Sequence, residues 1–293
     1  MSRLRETAAV VALLRRGGRP PHELSERIEV AGSATAVLGG ADDSAPRLFA
    51  ADAYGQVVDL EAIAGEVAGW ESQGLAVITV LDARYPPNLR TIHNRPPLLF
   101  VRGRLSDRDT RSVAVVGTRR PTAAGRRRAG QIAAELTAAG LTVVSGLAAG
   151  IDAAAHVGAL DSGARSVAVV GTGLSHVYPS ANRPLHERLV RSGAVVSQFW
   201  PNAQPTREGF RRRNIVMSGF ALATVVIEAS RTSGARQQAR VALEHGRPVF
   251  LLGSLLCEQW ARDAAKRPGV HVVSDSAEIV ARLEGLNAGK LAA

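Results

Sequence analysis

The amino-acid sequence predicts an α/β fold with a doubly wound, mainly parallel sheet, preceded by a small helical N-terminal domain. Three observations favour this fold. From Ala76 onward, short β-branched runs alternate with helix-length segments, which is the pattern of right-handed β-α-β crossovers. One strand and the turn after it recur word for word later in the chain. Glycine-rich turns follow several of the runs, at the places where sheets of this type bind ligands.

The first part of the chain reads as helices joined by polar loops. Pro20-Pro21 can begin a helix, because proline is tolerated at the first helical position. Composition predicts a loop from Gly39 to Pro46. The apolar run Ala8–Leu14 is too short to span a membrane and ends in two arginines, which indicates an amphipathic helix. We expect a helical domain over residues 1–72, a main domain over 73–285, a flexible tail over 286–293, a cytoplasmic location and no membrane partner.

Eight segments are predicted to form the strands of the main domain. A Tyr85-Pro86-Pro87 turn joins the first two, and the later ones are separated by helix-length segments. The predicted strands are Ala76–Leu81, Leu98–Val101, Val113–Val116, Thr142–Ser145, Val167–Val170, Val195–Ser197, Thr224–Ile227 and Pro248–Leu252.

An internal repeat supports the parallel sheet. The seven residues from Ser112 to Thr118 recur as Ser166 to Thr172, and Val143-Val144-Ser145 recurs as Val195-Val196-Ser197 at nearly the same offset. Two similar β-α-β halves are typical of a Rossmann-like sheet.

Composition narrows the possible functions. The chain has 293 residues, a formal net charge of +10, and basic residues that are almost all arginine. Arginine suits phosphate groups because its planar fork donates two parallel hydrogen bonds, although a biased codon usage also enriches arginine. The single cysteine, Cys257, excludes a disulfide framework and a cysteine-based zinc site.

Two glycine-containing turns come first among the candidate sites. Gly117, Thr118 and Arg119 lie between a strand and a helix, where glycine lets the backbone approach a ligand and the start of the helix offers N–H groups to an anion. The turn from Gly146 to Gly150 has the same placement. Asp152 and His156 follow it one helical turn apart, which favours a local polar pair over a catalytic dyad.

The third turn, from Gly171, begins like a dinucleotide-binding fingerprint. His176 stands at the third glycine position, and no acidic residue follows at the distance needed to hold a ribose. The chain contains no P-loop motif either. We therefore expect no cofactor.

The fourth candidate is the basic segment Phe210-Arg211-Arg212-Arg213-Asn214. Arginines beside an aromatic ring combine phosphate contacts with a stacking platform, which is how single strands are held without sequence preference. On a helix the three arginines spread over about 200° around the helix axis, so they cannot all contact the phosphates of one DNA strand. A solvated basic helix face is the alternative interpretation of the segment.

The sequence contains no recognisable set of catalytic residues. It has no G-x-S-x-G or H-E-x-x-H motif, so we expect neither a catalytic nor a metal site. Glu228 ends a strand at the ligand-binding edge and could act as a base. More often a carboxylate in this position orients the N–H groups of neighbouring loops.

Taken together, these segments closely resemble the DNA-processing protein A (DprA/Smf) family over roughly residues 74–252. The resemblance is most specific from Val143 to His156. It also rests on segments before and after this stretch, namely Asp82–Leu89, Pro96–Gly103, Val113–Arg119, Tyr178-Pro179 with Asn182, Phe210–Gly219, Glu228-Ala229, Ser233–Ala235 and Ala239–Leu243.

The resemblance implies an extended Rossmann-like domain with a basic groove for single-stranded DNA. It also implies a homodimer and a RecA-type recombinase as partner, loaded onto DNA during natural transformation. Arg119 would be the groove arginine, and Thr118 replaces the usual serine. Ile215 stands where the family has an arginine. The positions implied to bind DNA are Gly117, Thr118, Arg119, Gly146, Gly150, Phe210, Arg211, Arg212, Arg213 and Asn214, and those implied to support them are Asp152, Glu228, Ser233 and Gly234.

An enzyme or sensor of nucleotide-derived ligands is the alternative from another class. Related phosphoribohydrolases with this type of sheet carry a Pro-Gly-Gly-x-Gly-Thr loop. The corresponding stretch here runs from Thr232 to Gln238 without that motif, so this alternative is disfavoured.

Overall fold

A computed structural model describes residues 2–40 and 58–291, with side chains through residue 285. Within that part of the chain, nine strands form one sheet in the order β1-β2-β6-β5-β4-β3-β7-β8-β9. The strands are β1 Ala76–Thr79, β2 Leu98–Gly103, β3 Ser112–Val116, β4 Thr142–Ser145, β5 Ser166–Val169, β6 Ala194–Ser197, β7 Ala223–Val226, β8 Val249–Leu252 and β9 Val270–Val273.

All eight predicted strands are present, each within two residues of its predicted ends. The ninth strand, β9, was not predicted. It is four residues long, carries a histidine, and lies half exposed at one edge of the sheet, so it lacks the apolar run of a buried strand.

The sheet is mainly parallel, as predicted. Strand β2 is the exception, because it pairs antiparallel with both β1 and β6. From β3 the chain winds outward through β4, β5 and β6, and then returns to place β7 on the other side of β3. This reversal is the topological switch point of a doubly wound sheet, and it predicts a binding crevice beyond the carboxyl ends of β3 and β7.

Helices cover both faces of the sheet. They are α1 Arg3–Arg16, α2 Pro21–Ala31, α3 Ala34–Leu38, α4 Leu60–Ser72, α5 Pro87–Arg90, α6 Ala123–Ala138, α7 Ile151–Asp161, α8 Arg183–Ser192, α9 Arg207–Phe220, α10 Gly234–Glu244, α11 Gln259–Ala265 and α12 Ser276–Leu291.

Alternate side chains of each central strand belong to different layers. In β3, Val113 and Val115 pack with α6, α7 and α12, whereas Ala114 and Val116 pack with α9 and α10 on the opposite face. A strand with both faces buried is apolar along its whole length, which explains why these segments read as continuous Val/Ala runs.

The N-terminal helices pack directly against the β1–β2 edge of the sheet. Apolar residues of α1, such as Val10 and Leu13, belong to the same core cluster as Val77 and Phe100. Charge adds to this contact, since Glu29 on α2 forms ion pairs with Arg90 and Arg95, which lie in the connection between β1 and β2.

Some of the predicted loops and boundaries extend beyond the described residues or are not tested by them. The predicted loop from Gly39 to Pro46 lies outside them beyond Gly40, and the backbone of α12 continues to Leu291, into the predicted flexible tail. The domain boundaries at residues 72 and 285 stay predictions. Among the described residues, none of the helices combines the length and apolar character needed to cross a membrane.

Candidate nucleic-acid interface

A cleft of about 760 Å³ opens beside the switch point, at the carboxyl ends of the strands. The loops after β3, β4, β5 and β7 line it, together with α9 and the first turns of α10. Four exposed arginines line the cleft, namely Arg119, Arg120, Arg207 and Arg211. Asp152 is the one carboxylate in the described lining, and it is buried. The accessible surface of the cleft is therefore strongly positive.

The loop after β3 holds Arg119 in a fixed place. The Thr118 N–H donates to the carbonyl oxygen of Glu228 at 2.6 Å, and the Thr118 carbonyl accepts from the N–H of Ile151. Gly117 has no room for a side chain, because a Cβ there would collide with Ile151. These contacts anchor the loop to the segment after β7 and to α7. The exposed side chain of Arg119 extends outward from the loop.

Three side chains form an exposed cluster at the mouth of the cleft. The guanidinium of Arg119 lies over the ring of Phe210, 4.9 Å from its centroid. The ring of Tyr178, which is 43% exposed, lies 5.6 Å from the ring of Phe210. Gly171 makes this possible, since a Cβ there would lie 2.7 Å from the Phe210 ring. We call Arg119, Phe210 and Tyr178 the stacking cluster.

The structure corrects the direct DNA contacts predicted for Arg213 and Asn214. Arg213 is only 6% exposed and Asn214 only 4%. Arg213 donates from Nη1 to the carbonyl oxygen of Val169 at 2.8 Å and from Nε to Oδ1 of Asn214 at 3.1 Å. Because α9 turns this pair toward the carboxyl ends of β4 and β5, they support the cleft from inside.

Gly146 and Gly150 are also packing positions, which corrects their predicted contact with DNA. Both are buried. A Cβ on Gly146 would overlap the guanidinium of Arg213, and a Cβ on Gly150 would overlap the backbone at Thr118 and Arg119. Gly150 also has a φ of 86°, which favours glycine. These two glycines let the loops after β3 and β4 approach α9 and each other.

Asp152 supports the same arrangement. Its Oδ2 accepts from the N–H of Gly146 at 3.1 Å, so the carboxylate closes the turn after β4. Complete burial raises the pKa of Asp152, whereas the positive charge of Arg213 and the N–H groups of Ala148 and Gly146 act in the opposite direction. Asp152 and Arg213 are thus two buried groups of opposite charge beneath the cleft, close enough for each to shift the pKa of the other.

Arg211 and Arg212 are exposed, and they point in different directions. Arg211 lines the cleft and lies 3.9 Å from Glu208 on its own helix. Arg212 lies over the ring of Phe199 at 5.6 Å, away from the cleft. Ile215 lies on the same surface as Arg211 and Arg212, one helical turn after Arg211, and it is partly buried against the core. Of the three consecutive arginines, only Arg211 lies in the cleft with its charge exposed.

The carboxylate of Glu228 lies at the start of α6, where we expected an anion to bind. Its carboxylate accepts from the N–H of Thr122 at 3.0 Å and from the Thr122 hydroxyl at 2.8 Å, immediately before α6. Gly125 faces the same carboxylate, and a Cβ there would overlap it. Two N–H groups that were expected to be free for an anion, those of Thr122 and Gly125, are thus already bonded to Glu228 and to the Thr122 hydroxyl. Glu228 orients the loop.

Ser233 and Gly234 lie where the sequence places them, at the start of α10 and on the wall of the cleft. The Ser233 hydroxyl accepts from the N–H of Ala235 at 3.2 Å. Asp152 and His156 do not form a dyad. The His156 ring bonds through Nδ1 to the hydroxyl of Ser166 at 2.8 Å, in the layer between α7 and the sheet.

Sequence reasoning missed several residues of the cleft. Tyr178 is the most important, because it completes the stacking cluster. An aromatic residue in a turn after a buried strand is a signal that could have found it. Arg207 and Gln237 also line the cleft. Their positions follow from how α9 and α10 cross the strand ends, which no local pattern indicates.

Several known proteins are similar to this chain. Residues 76–288 match the family model described as DNA recombination-mediator protein A. Protein Smf of Synechocystis is 41% identical over 179 residues, which cover 60% of this chain but only 45% of that relative. DNA processing protein DprA of Streptococcus pneumoniae is 32% identical over 261 residues, covering 79% of this chain and 90% of the relative.

Solved structures show the same fold. The crystal structure of DNA processing protein A from Streptococcus pneumoniae superimposes with a TM-score of 0.76 at 30% identity, over 94% of this chain and 97% of that one. A structure of the Helicobacter pylori protein, reported for its unique mode of binding single-stranded DNA, gives a TM-score of 0.64 at 23% identity, over 72% of this chain and 96% of that one. On its sequence, its fold and the extent of the match, the chain belongs to the DNA recombination-mediator protein A family.

Proposed function

We propose that the chain binds single-stranded DNA without sequence preference, and that it does so as a binding protein rather than as an enzyme. The stacking cluster carries this proposal. It presents an arginine and two aromatic rings at the mouth of a cleft lined by further exposed arginines. Arginines contact phosphates, and aromatic faces accept any base, so the two together favour single strands.

Two further observations support the proposal. The carboxylate of Glu228 is engaged by Thr122, which does not favour a role as the base of a hydrolytic enzyme. The related protein from Helicobacter pylori is reported to bind single-stranded DNA. From the family we further propose that the chain forms a homodimer and loads a RecA-type recombinase onto the bound strand in DNA uptake or recombination.

Arg119→Ala tests the site directly. We expect this variant to bind a labelled single-stranded oligonucleotide more weakly, because it loses one phosphate contact and one face of the stacking cluster. The slope of log K against log salt should become shallower by about 0.7, the share of one phosphate on a single strand. The melting temperature should change little, since truncating an exposed arginine costs little stability. Fluorescence anisotropy across a salt series measures both binding quantities.

Arg191→Ala is the matched control for this experiment. Arg191 is an exposed arginine in the last turn of α8, which leads into the amino end of β6, so it lies at the end of the strands opposite to the cleft. The substitution Arg191→Ala removes one positive charge from the protein, as Arg119→Ala does, but leaves the cleft unchanged. If the two variants lose equal affinity, or if the wild type binds duplex and single strand equally, the assignment of the cleft is incorrect.

Phe210→Ala tests the stacking contribution separately. We expect it to cost about 1–3 kcal/mol of binding free energy, the range for a base stacked on an aromatic ring. Phe210 is only partly buried. We therefore expect the substitution to lower the free energy of unfolding by much less than the about 3–5 kcal/mol that is lost when a core phenylalanine is removed. Anisotropy and thermal melting of the same samples separate the two effects. Phe210→Tyr keeps the ring and should retain binding; a Phe210→Tyr protein as weak as Phe210→Ala would argue against stacking.

A further inference from the structure

A second basic groove adjoins the cleft. It has a volume of about 420 Å³ and lies between α10 and α11, over β8 and β9. Arg231, Arg236, Arg240 and Arg267 line it, and we call it the α10–α11 groove. Thr232, Ser233 and Gln237 belong to the walls of both the groove and the cleft. The two are therefore continuous around the first turns of α10.

The charge of this groove is largely uncompensated. Among the described residues, Arg231, Arg236 and Arg267 have no carboxylate within ion-pair distance, although Arg236 donates to the carbonyl oxygen of Arg231. The acidic side chain in the groove lining, Asp263, lies 3.7 Å from Lys266. Arginines without acidic partners create a positive potential that attracts a polyanion.

A bound DNA strand could also leave the cleft by a different route, between α9 and α10. Arg211, Arg212 and Arg240 line that surface, but so do Glu208 and Glu244. Arg211 lies 3.9 Å from Glu208, and Arg240 lies 3.2 Å from Glu244. Carboxylates on that surface repel phosphates and compete for the arginines. The charge pattern therefore favours the α10–α11 groove.

The floor of the groove argues for contacts with the DNA backbone rather than with bases. Trp260 is 6% exposed, and its indole Nε1–H donates to the carbonyl oxygen of Ala229 at 3.0 Å. Its ring is thus part of the core and offers no face for stacking. Arg236 and Arg240 lie one turn apart on α10, about 6 Å along the helix axis, so they share one face. Arginines on such a face can follow successive phosphates.

We propose that a single strand leaving the cleft continues along the α10–α11 groove, where Arg236 and Arg267 hold the phosphates of the next nucleotides. This inference rests on the proposed function of the cleft and extends its binding site. The groove contributes affinity without base selection. Its contribution appears only when the oligonucleotide is long enough to reach it.

The test uses fluorescein-labelled oligothymidylates of increasing length, from about 4 to about 20 nucleotides, which brackets the usual site sizes of single-strand binders. The groove variant is Arg236→Ala/Arg267→Ala, because neither residue lines the cleft. We expect it to bind the shortest oligonucleotide as the wild type does, and the longest one more weakly. For the longest one, the salt slope should become shallower by about 1.4, the share of two phosphates. The control for the loss of two positive charges is Arg111→Ala/Arg191→Ala, which removes two exposed arginines at the amino ends of β3 and β6.

The outcomes distinguish the groove from the cleft. If the groove variant binds every length like the wild type while Arg119→Ala is weakened, the groove is not part of the DNA path and the proposed function stands. An equal loss at all lengths would also overturn the extension. A groove variant with normal DNA binding but an altered sedimentation coefficient would assign the groove to a protein contact. If the wild type binds no oligothymidylate, the proposed function fails, and the inference fails with it.

Discussion

Replacement of Arg213 by alanine is expected to lower the free energy of unfolding by about 3–5 kcal/mol. The substitution removes the positive charge that faces the fully buried Asp152, and the carboxylate then loses the group that favours its ionised form. It also leaves the carbonyl oxygen of Val169 without the hydrogen bond from Nη1 and opens a void over Gly146. Each of these losses destabilises the folded state, and none depends on DNA.

Arg212→Ala is the matched control, because it removes the neighbouring arginine from the exposed side of the same helix. We expect it to change stability by no more than about 0.5 kcal/mol. Urea unfolding followed by circular dichroism measures both variants. Equal midpoints for Arg213→Ala and Arg212→Ala would mean that the buried pair does not stabilise the fold. Should Arg213→Ala fail to fold while Arg212→Ala folds, the result agrees with the prediction.

The second large effect is acid destabilisation through His156. Burial and, to a smaller extent, the nearby charge of Arg213 together lower the pKa of His156 to about 3, although the backbone of Ser145 acts in the opposite direction. In the unfolded chain a histidine has a pKa of about 6.5. Between these values the unfolded state binds a proton that the folded state does not. The free energy of unfolding should therefore fall as the pH is lowered, by about 1.4 kcal/mol per pH unit below pH 6.5.

The hydrogen bonds of His156 explain why its protonation is unfavourable. The Ser166 hydroxyl donates to the carbonyl oxygen of Val143, so the His156 ring must donate to it from Nδ1. Nε2 then carries no proton and has no hydrogen-bond partner among the described residues. Adding a proton there would place a positive charge in the buried layer, close to the charge of Arg213.

The measurement compares wild type with His156→Asn over a pH series of urea unfolding curves. Asparagine does not titrate, and its side-chain amide can replace Nδ1 next to Ser166. We expect the variant to be less stable at pH 7 and its stability to depend less on pH between 6.5 and 4. Other groups, such as Asp152 and His245, titrate in both proteins, so the difference in slope isolates His156. Parallel slopes would show that His156 does not limit acid stability.

Much of the fold could be predicted from the sequence, because buried parallel strands carry a strong local signal. The run Val113–Val116 and its repeat at Val167–Val170 are apolar throughout, and each is followed by a glycine where a helix start approaches. Strand β9 has no such signal. Its place is set by pairing with β8, a contact between distant parts of the chain.

The loops that line the cleft could be identified from the sequence, but the orientation of single side chains could not. Consecutive arginines on a helix give no local sign of which one faces inward, and charged residues are seldom fully buried. Arg213 is buried because Asp152 and Gly146, from the loop after β4, provide an opposite charge and a space for its guanidinium. Similarly, Glu228 reaches Thr122 only because β7 returns to pair with β3.

The way the helices begin around the cleft has a consequence for the kind of ligand that binds there. At each of these helix starts a side-chain oxygen of the protein already accepts a backbone N–H group. Glu228 accepts from Thr122 before α6, Thr206 accepts from Gly209 in α9, and Ser233 accepts from Ala235 in α10. A free mononucleotide thus finds few fixed donors for its phosphate, and long arginine side chains remain the main contacts. Such contacts impose no single register, so a long strand can occupy many equivalent positions. Each added nucleotide increases the number of those positions, and apparent affinity should rise with length even after the site is filled.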